Sequence, residues 1–358
     1  MMSTQTLIPL DLNYWHRLTD DTGIFQHAKF GLPDRRHGYT TDDNARGLIA
    51  AVMWHHRDLA PKAVQLMYTY LSFVYHAQND EGSFKNFMNY ERRFVEEVGS
   101  EDSFGRALWA VGYTLSDALV PKSLKHACWA ILSRGLDYAQ GLRSPRAKAY
   151  ALIGLSYVAQ SADWATVPAS VNSAARIQVR SAVDYLGRGL EAQYHAYRRS
   201  DWHWFEDSVT YGNAVLPWSL FMAAEVLTRS DWTGIARESL TFLSALTRSP
   251  EGYFQPIGCR GWLTRGGTSA RYDEQPIEAA EMLMAFQSAY RSLGNPEDHD
   301  GMERCYQWYL GKNSQAQSLI DPETFGCYDG IEAHGLNLNQ GSESILSYVI
   351  AHFAMADE

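Results

Sequence analysis

DDNARGLIAAVMW, residues 42–54, opens on two adjacent acids and runs into a helix that is apolar on almost every face. A helix of that kind has to be buried. Five later stretches repeat the design: DSFGRALWAVGYTL (102–115), SPRAKAYALIGLSYV (144–158), GNAVLPWSLFMAAEVL (212–227), QPIEAAEMLMAF (275–286) and GSESILSYVIAHF (341–353). All six are rich in Ala and Gly and nearly free of Lys. The segments 60–76, 123–140, 174–197, 230–246 and 296–310 instead alternate apolar positions with Lys, Arg, Gln and Asp, which predicts helices wetted along one side. Buried and half-exposed helices in alternation describe an inner ring wrapped by an outer ring. Six inner helices and five outer ones leave one outer place open. Residues 10–18 supply part of it, beside the last inner helix, and so close the ring. The predicted fold is all-α, an (α/α)6 toroid made by residues 1–358 as one domain.

Helix starts are 42 residues apart between Asp102 and Ser144 and about sixty or more apart elsewhere. That irregularity argues against an open solenoid of fixed period, which is the alternative fold. Strand signals are confined to short extended pieces at 252–255 and 325–328.

Composition excludes several classes of function. A net charge of -10 is a poor footprint for nucleic acid, which needs a basic surface. No apolar run approaches the roughly 20 residues that span a bilayer. Residues 1–10 lack a basic region followed by an apolar stretch, so no secretory leader is expected. Cys128, Cys259, Cys305 and Cys327 show no CxxC spacing and read as reduced thiols of a cytoplasmic protein. GCRGWLTRGG, residues 258–267, fits neither nucleotide-binding glycine pattern, and no GxSxG elbow occurs.

The chemistry is expected just before the inner helices. GYTTDDNAR carries Asp42 and Asp43, GSEDSFGR Glu101 and Asp102, DWHWFEDSVTYGN Glu206 and Asp207, RYDEQPIEA Asp273 and Glu274, and NLNQGSESILS Glu343. In a ring of hairpins these starts converge on one face. Acids at a helix start are often caps that complement the dipole. A cap needs one short acceptor, however, whereas four of these sites hold adjacent acids among Trp, Tyr, His and Gly. Opposed carboxylates suit glycosidic bond cleavage, one donating a proton to the leaving oxygen and the other activating water or attacking carbon. Asp43 and Asp207 are the first candidates for catalysis, followed by Asp102 and Glu274. Trp202, Trp204, Tyr211 and Tyr272 are candidate sugar platforms. Arg46 and Arg106, one turn inside their helices, are placed to orient acids or an anionic group. Asp42, His203, Glu206, Asp273, Gln275, His334 and Glu343 complete the expected substrate-binding set. No HxH or HxxxH spacing supports a metal, and neither metal nor cofactor is expected.

HRLTDDTGIFQHAKFGLPDRRHGYTTDDNARGLI, residues 16–49, resembles a stretch of bacterial proteins in the six-hairpin glycosidase-like superfamily. The blocks SEDSFGRALW, RSPRAKAYAL, WFEDSVTYGNAVLPW, YDEQPIEAAEM and LNQGSES resemble the same group, so the likeness runs over most of the chain. Some members stand alone and others look like modules fused behind glycosyltransferases. The resemblance implies an (α/α)6 barrel and action on a carbohydrate; the site residues above rest on their place in the ring. The expected function is a glycoside hydrolase acting on an oligosaccharide. The alternatives are a glycoside phosphorylase, a sugar epimerase using histidines such as His203 or His334, and a non-catalytic glycan-binding partner of a glycosyltransferase.

Overall fold

Thr40, Ser100 and Ser144 each accept a hydrogen bond from the backbone N–H three residues on, and an inner helix starts after each of them. The computed structural model describes residues 7–161 and 169–357, the side chains of 169–173 excepted. Residues 1–6 of the stretch read for a leader lie outside that range. The inner helices are α2 (Thr41–Asp58), α4 (Glu101–Ser116), α6 (Pro145–Gln160), α8 (Val215–Leu227), α10 (Pro276–Leu293) and α12 (Ser342–Ala356). Their buried residues run through every face: in α2 each position from Asp43 to Met53 is buried. The outer helices are α3 (Pro61–Ala77), α5 (Lys122–Ala139), α7 (Ala169–Tyr197), α9 (Ser230–Leu246), α11 (Pro296–Tyr309) and the short α1 (Asn13–Leu18).

Each inner helix packs on the next, and α12 returns to α2, so the ring closes. Helix α1 packs on α12, where Tyr14 donates to the Gln340 carbonyl at 2.6 Å. The expected sixth outer helix is therefore present, though it begins at Asn13 and is one and a half turns long. Small residues let the inner helices touch: Gly112 of α4 and Gly154 of α6 lie so close that a Cβ added at 112 would sit 2.0 Å from the Gly154 carbonyl oxygen. Trp109 of α4 stands edge-on to Trp218 of α8, centroids 5.2 Å apart, and stacks on Tyr150 of α6 at 5.9 Å. These buried rings fill part of the barrel's interior.

Among the described residues four two-stranded ladders lie near the N-terminal ends of the inner helices: the hairpins β1 (Ala28–Lys29) with β2 (Leu32–Pro33) and β7 (Gly330–Glu332) with β8 (Gly335–Asn337), and two long-range pairs, β3 (Tyr39–Thr40) with β4 (Phe87–Met88) and β5 (Ser208–Val209) with β6 (Leu263–Thr264). The expected extended pieces form only single bridges, Arg248 with Phe254 and Ile320 with Cys327. Ladders of two or three residues hold no alternation for a sequence pattern to reveal. No helix among the described residues is long and apolar enough to cross a membrane.

Candidate active site

Helices α2, α10 and α12 open onto a cavity of about 310 Å³ at the barrel mouth. Asp42, Asp43 and Arg46 border it from α2. Asp273 and Gln275 do so from the segment before α10, and Asp329, Glu343 and Ser344 from the region around the α12 start. His27, Asn86 and Asn337 complete much of the polar wall. The convergence expected of inner-helix starts thus brings Asp42, Asp43, Arg46, Asp273, Gln275 and Glu343 together.

Asp43 is fully engaged. The Thr40 hydroxyl donates to Oδ2 at 2.6 Å and Arg46 Nη1 to Oδ1 at 3.0 Å. Burial pushes its carboxyl up to about 6 against the opposing pull of Arg46. Arg46 also donates Nη2 to Glu343 at 2.6 Å, so one buried guanidinium ties α2 to α12. Asp42 takes Arg106 Nη1 of α4 at 3.3 Å on Oδ2, while its Oδ1 has no hydrogen-bond partner among the described residues. Across the cavity, Asp273 Oδ1 is likewise without one. Burial, followed by the nearby Glu332 charge, raises the Asp273 pKa. Buried polar atoms left unpaired are uncommon in folded proteins, and these two belong to acids that border the same cavity.

Behind Asp42 a chain of contacts runs to the barrel axis. Arg106 Nη2 donates to the Tyr150 hydroxyl at 3.3 Å, its guanidinium 4.7 Å from that ring, and Tyr150 donates to Glu281 Oε1. Glu281 is buried on α10, its Oε2 unpartnered, and burial with the adjacent Glu278 charge pushes its carboxyl up to about 8. Glu278 accepts from the Gly212 N–H at 2.5 Å and from Asn213 at 3.1 Å. Neither acid was singled out in the sequence, because both lie inside a helix instead of before it.

Other expected residues lie elsewhere. Asp207 is exposed and pairs with Arg265 at 3.0 Å, away from the cavity. Asp102 accepts from Ser144 at 2.8 Å and from the Tyr211 hydroxyl at 2.7 Å, at the neighbouring sector of the mouth. Glu206 there pairs with Arg146 at 2.7 Å, and the Arg146 guanidinium lies 4.7 Å from the Tyr211 ring. Glu274 is wholly buried, receiving Ser314 at 2.5 Å and Trp308 Nε1 of α11 at 2.8 Å, and burial lifts its carboxyl to about 7. It faces the outer ring and does not line the cavity. Trp202 and Trp204 are core residues, the former donating to the Glu206 carbonyl at 2.7 Å and the latter fully buried against Phe205. Tyr272 is half-buried against the core. His203 lies 2.7 Å from Glu238 of α9, and His334 is exposed in the turn between β7 and β8.

His27 and Asp329 border the cavity but are not among the expected site residues. Asp329 accepts from the Gly341 N–H at 2.6 Å and the Ser344 hydroxyl at 2.7 Å, capping α12 from twelve residues upstream. Burial lowers the His27 pKa, and the neighbouring His37, ring centroids 4.7 Å apart, adds to it. Among the described residues no group of three or more His, Cys, Asp or Glu is arranged to hold a metal ion.

No protein-family model matches the chain, and no curated protein matches it by sequence. Solved structures match by shape. A sugar epimerase from a ruminal bacterium superposes with a TM-score of 0.73 at 12% identity, over 96% of this chain and 94% of that one. Cellobiose 2-epimerase from Bacillus thermoamylovorans B4167 gives 0.72 at 11% identity, over 96% of each chain. The GH76A alpha-1,6-mannanase from Salegentibacter sp. HEL1_6 gives 0.63 at 10% identity, over 96% of this chain and 95% of that one. The fold of this chain is therefore an (α/α)6 barrel, as in these structures.

Proposed function

We propose that the protein is a carbohydrate-active enzyme, and specifically a glycoside hydrolase whose reacting pair is Asp42 and Asp273. The observation that carries this reading is that Asp42 and Asp273 border one polar cavity from two walls, each with one carboxylate oxygen, Oδ1, buried and without a hydrogen-bond partner among the described residues. Asp273, its pKa raised by burial, is the proton donor to the leaving glycosidic oxygen. Asp42, ion-paired with Arg106, is the carboxylate that takes the proton from water or attacks the anomeric carbon. The net change is the addition of one water across the glycosidic C–O bond. Asp43, with both oxygens already bonded, is a positioning residue that sets Arg46 and through it Glu343.

Two comparisons support sugar chemistry. The structures of like fold are named as sugar epimerases, a mannose isomerase and a mannanase. A variant of that mannanase with two adjacent aspartates replaced is inactive and is seen in complex with alpha-1,6-mannotetrose; Asp42 and Asp43 are an adjacent aspartate pair in this chain. The test is product release from alpha-1,6-mannotetrose and cello-oligosaccharides by D42N and D273N. Each variant should fold normally and lose about 10²–10⁴ in turnover, the usual share of a general acid or base. Full turnover in both would overturn the assignment.

Epimerisation is the second reading, favoured by His27, which lines the cavity, and by the epimerases of like fold. His203 and His334, on which it was first expected to depend, lie off the cavity wall. Epimerisation of cellobiose that is lost in H27A and kept in D273N would establish it in place of hydrolysis.

A further inference from the structure

A cavity of about 310 Å³ is at the small end of the roughly 300–1,000 Å³ that ligand pockets span, so it holds little more than one sugar ring. The remainder of a longer substrate has to leave over the neighbouring rim. Resting on the glycosidase reading, we propose that Tyr211 and Trp262 form a second subsite, which makes the substrate an oligosaccharide of two or more rings.

Both aromatic rings are exposed where a core would hide them, Tyr211 at 42% and Trp262 at 38%. Their centroids are 6.5 Å apart with planes at 41°, a shallow V open to solvent. One face of Tyr211 is covered by the Arg146 guanidinium, and its hydroxyl is tied to Asp102, so the ring is held rigid. Rigid flat apolar surface flanked by charged hydrogen-bonding groups suits the faces and hydroxyls of a pyranose. Glu206, half-buried on Arg146, provides an acceptor beside it.

The platform is linked to both acids of the cavity through shared elements. Asp102 lies one turn before Arg106 on α4, and Arg106 holds Asp42. Trp262 belongs to the loop that ends at Asp273: Cys259 N–H bonds the Asp273 carbonyl at 3.0 Å, and Arg260 N–H the Tyr272 carbonyl at 3.2 Å. The β5–β6 ladder fastens the far side of this loop to the strand just before Tyr211, and Arg260 reaches Glu332 at 3.0 Å. Trp262 itself has φ +53°. The left-handed region is uncommon for a bulky residue. In this conformation the indole of Trp262 is left 38% exposed beside Tyr211.

The experiment is calorimetric titration of mannose, alpha-1,6-mannotetrose, glucose and cellotetraose into the D273N protein, into D273N with W262A, and into D273N with W262F, with melting curves to confirm folding. For at least one series the tetrasaccharide should bind about tenfold or more tighter than its monosaccharide, the order of one aromatic contact. W262A should abolish that difference and W262F preserve most of it. Equal affinity of monosaccharide and tetrasaccharide, or a difference insensitive to W262A, would overturn the subsite while leaving the glycosidase reading to the D42N and D273N assays. Trp262-dependent binding with no hydrolysis by the unmodified protein would uphold the subsite and remove the glycosidase reading. Absence of binding by all four sugars would likewise overturn the subsite and leave the glycosidase reading to those assays.

Discussion

Replacing Gly112 by Ala tests how tightly the inner ring is built. A Cβ at 112 would lie 2.0 Å from the Gly154 carbonyl oxygen and 2.5 Å from its carbon, both backbone atoms, where ordinary contact is 3.4–4 Å. No rotamer change relieves that clash, so α4 and α6 have to part by about 1 Å or more. Overpacking of a close-packed core costs about 1–3 kcal/mol and more where backbone must move; ~3 kcal/mol is a fair lower figure here. The same displacement stretches the Arg106–Tyr150 contact, already 3.3 Å, and with it the support of Asp42. Gly234, exposed in α9 with nothing within 4 Å of an added Cβ, is the internal control. Ala there should add about 0.5–1 kcal/mol through helix propensity. With an unfolding entropy of about 2.1 cal/mol/K per residue, a chain of 358 residues shifts by roughly 1.3 °C per kcal/mol. Thermal unfolding should then show Gly112→Ala down by about 4 °C or more and Gly234→Ala up by about 1 °C. A Gly112→Ala protein melting within 1 °C of the unmodified one would refute the close approach of α4 and α6.

Glu281 has a folded pKa near 8 against an ordinary 4.5, so the native state holds a proton that the unfolded chain has lost, and stability declines as pH rises from about 4.5 through 8. Glu281→Gln should flatten that decline by several kcal/mol, at about 1.4 kcal/mol per pH unit; identical urea midpoint shifts between pH 5.5 and 8 in both proteins would contradict it. Arg46→Met strands Asp43 and Glu343 and should cost about 3–5 kcal/mol in urea unfolding, whereas an unchanged midpoint would mean the guanidinium bridge carries no stability. Glu274→Gln should lower the melting temperature through Ser314 and Trp308 yet keep turnover within about threefold; a loss of a hundredfold would return Glu274 to the chemistry.

The ring was legible because its signals are local. Capping residues mark helix starts, and the absence of Lys on an inner helix reports burial from all sides, so five of the six expected starts fall within about one residue of those observed. The start expected at Gly212 falls at Val215, since Gly212 takes φ +54° and its N–H serves Glu278. The site was legible to the extent that it follows from the ring: Asp42, Asp43, Asp273 and Glu343 converge as expected. Adjacency to an acid did not show which way a side chain turns. Asp207, one residue before β5, points to solvent, while Glu274, one residue after Asp273, turns to the outer helices. Trp202 and Trp204 alternate with His203 in a turn that tucks both indoles inward. Glu281 and Asp329 had no local mark, because their partners are 131 and 15 residues away.

The contact of α12 with α1 and α2 has a kinetic meaning. Tyr14 and Gln340 meet across 326 residues, and Arg46 and Glu343 across 297. Contacts that enclose so long a loop form late in folding, because nothing offsets their closure entropy until the intervening hairpins are in place. During synthesis the first five inner helices can stack as an open arc, but the cavity wall that holds Asp329, Glu343 and Ser344 arrives last. The seam of the ring runs through the site, so a molecule that has not finished folding has no pocket in which to bind or act.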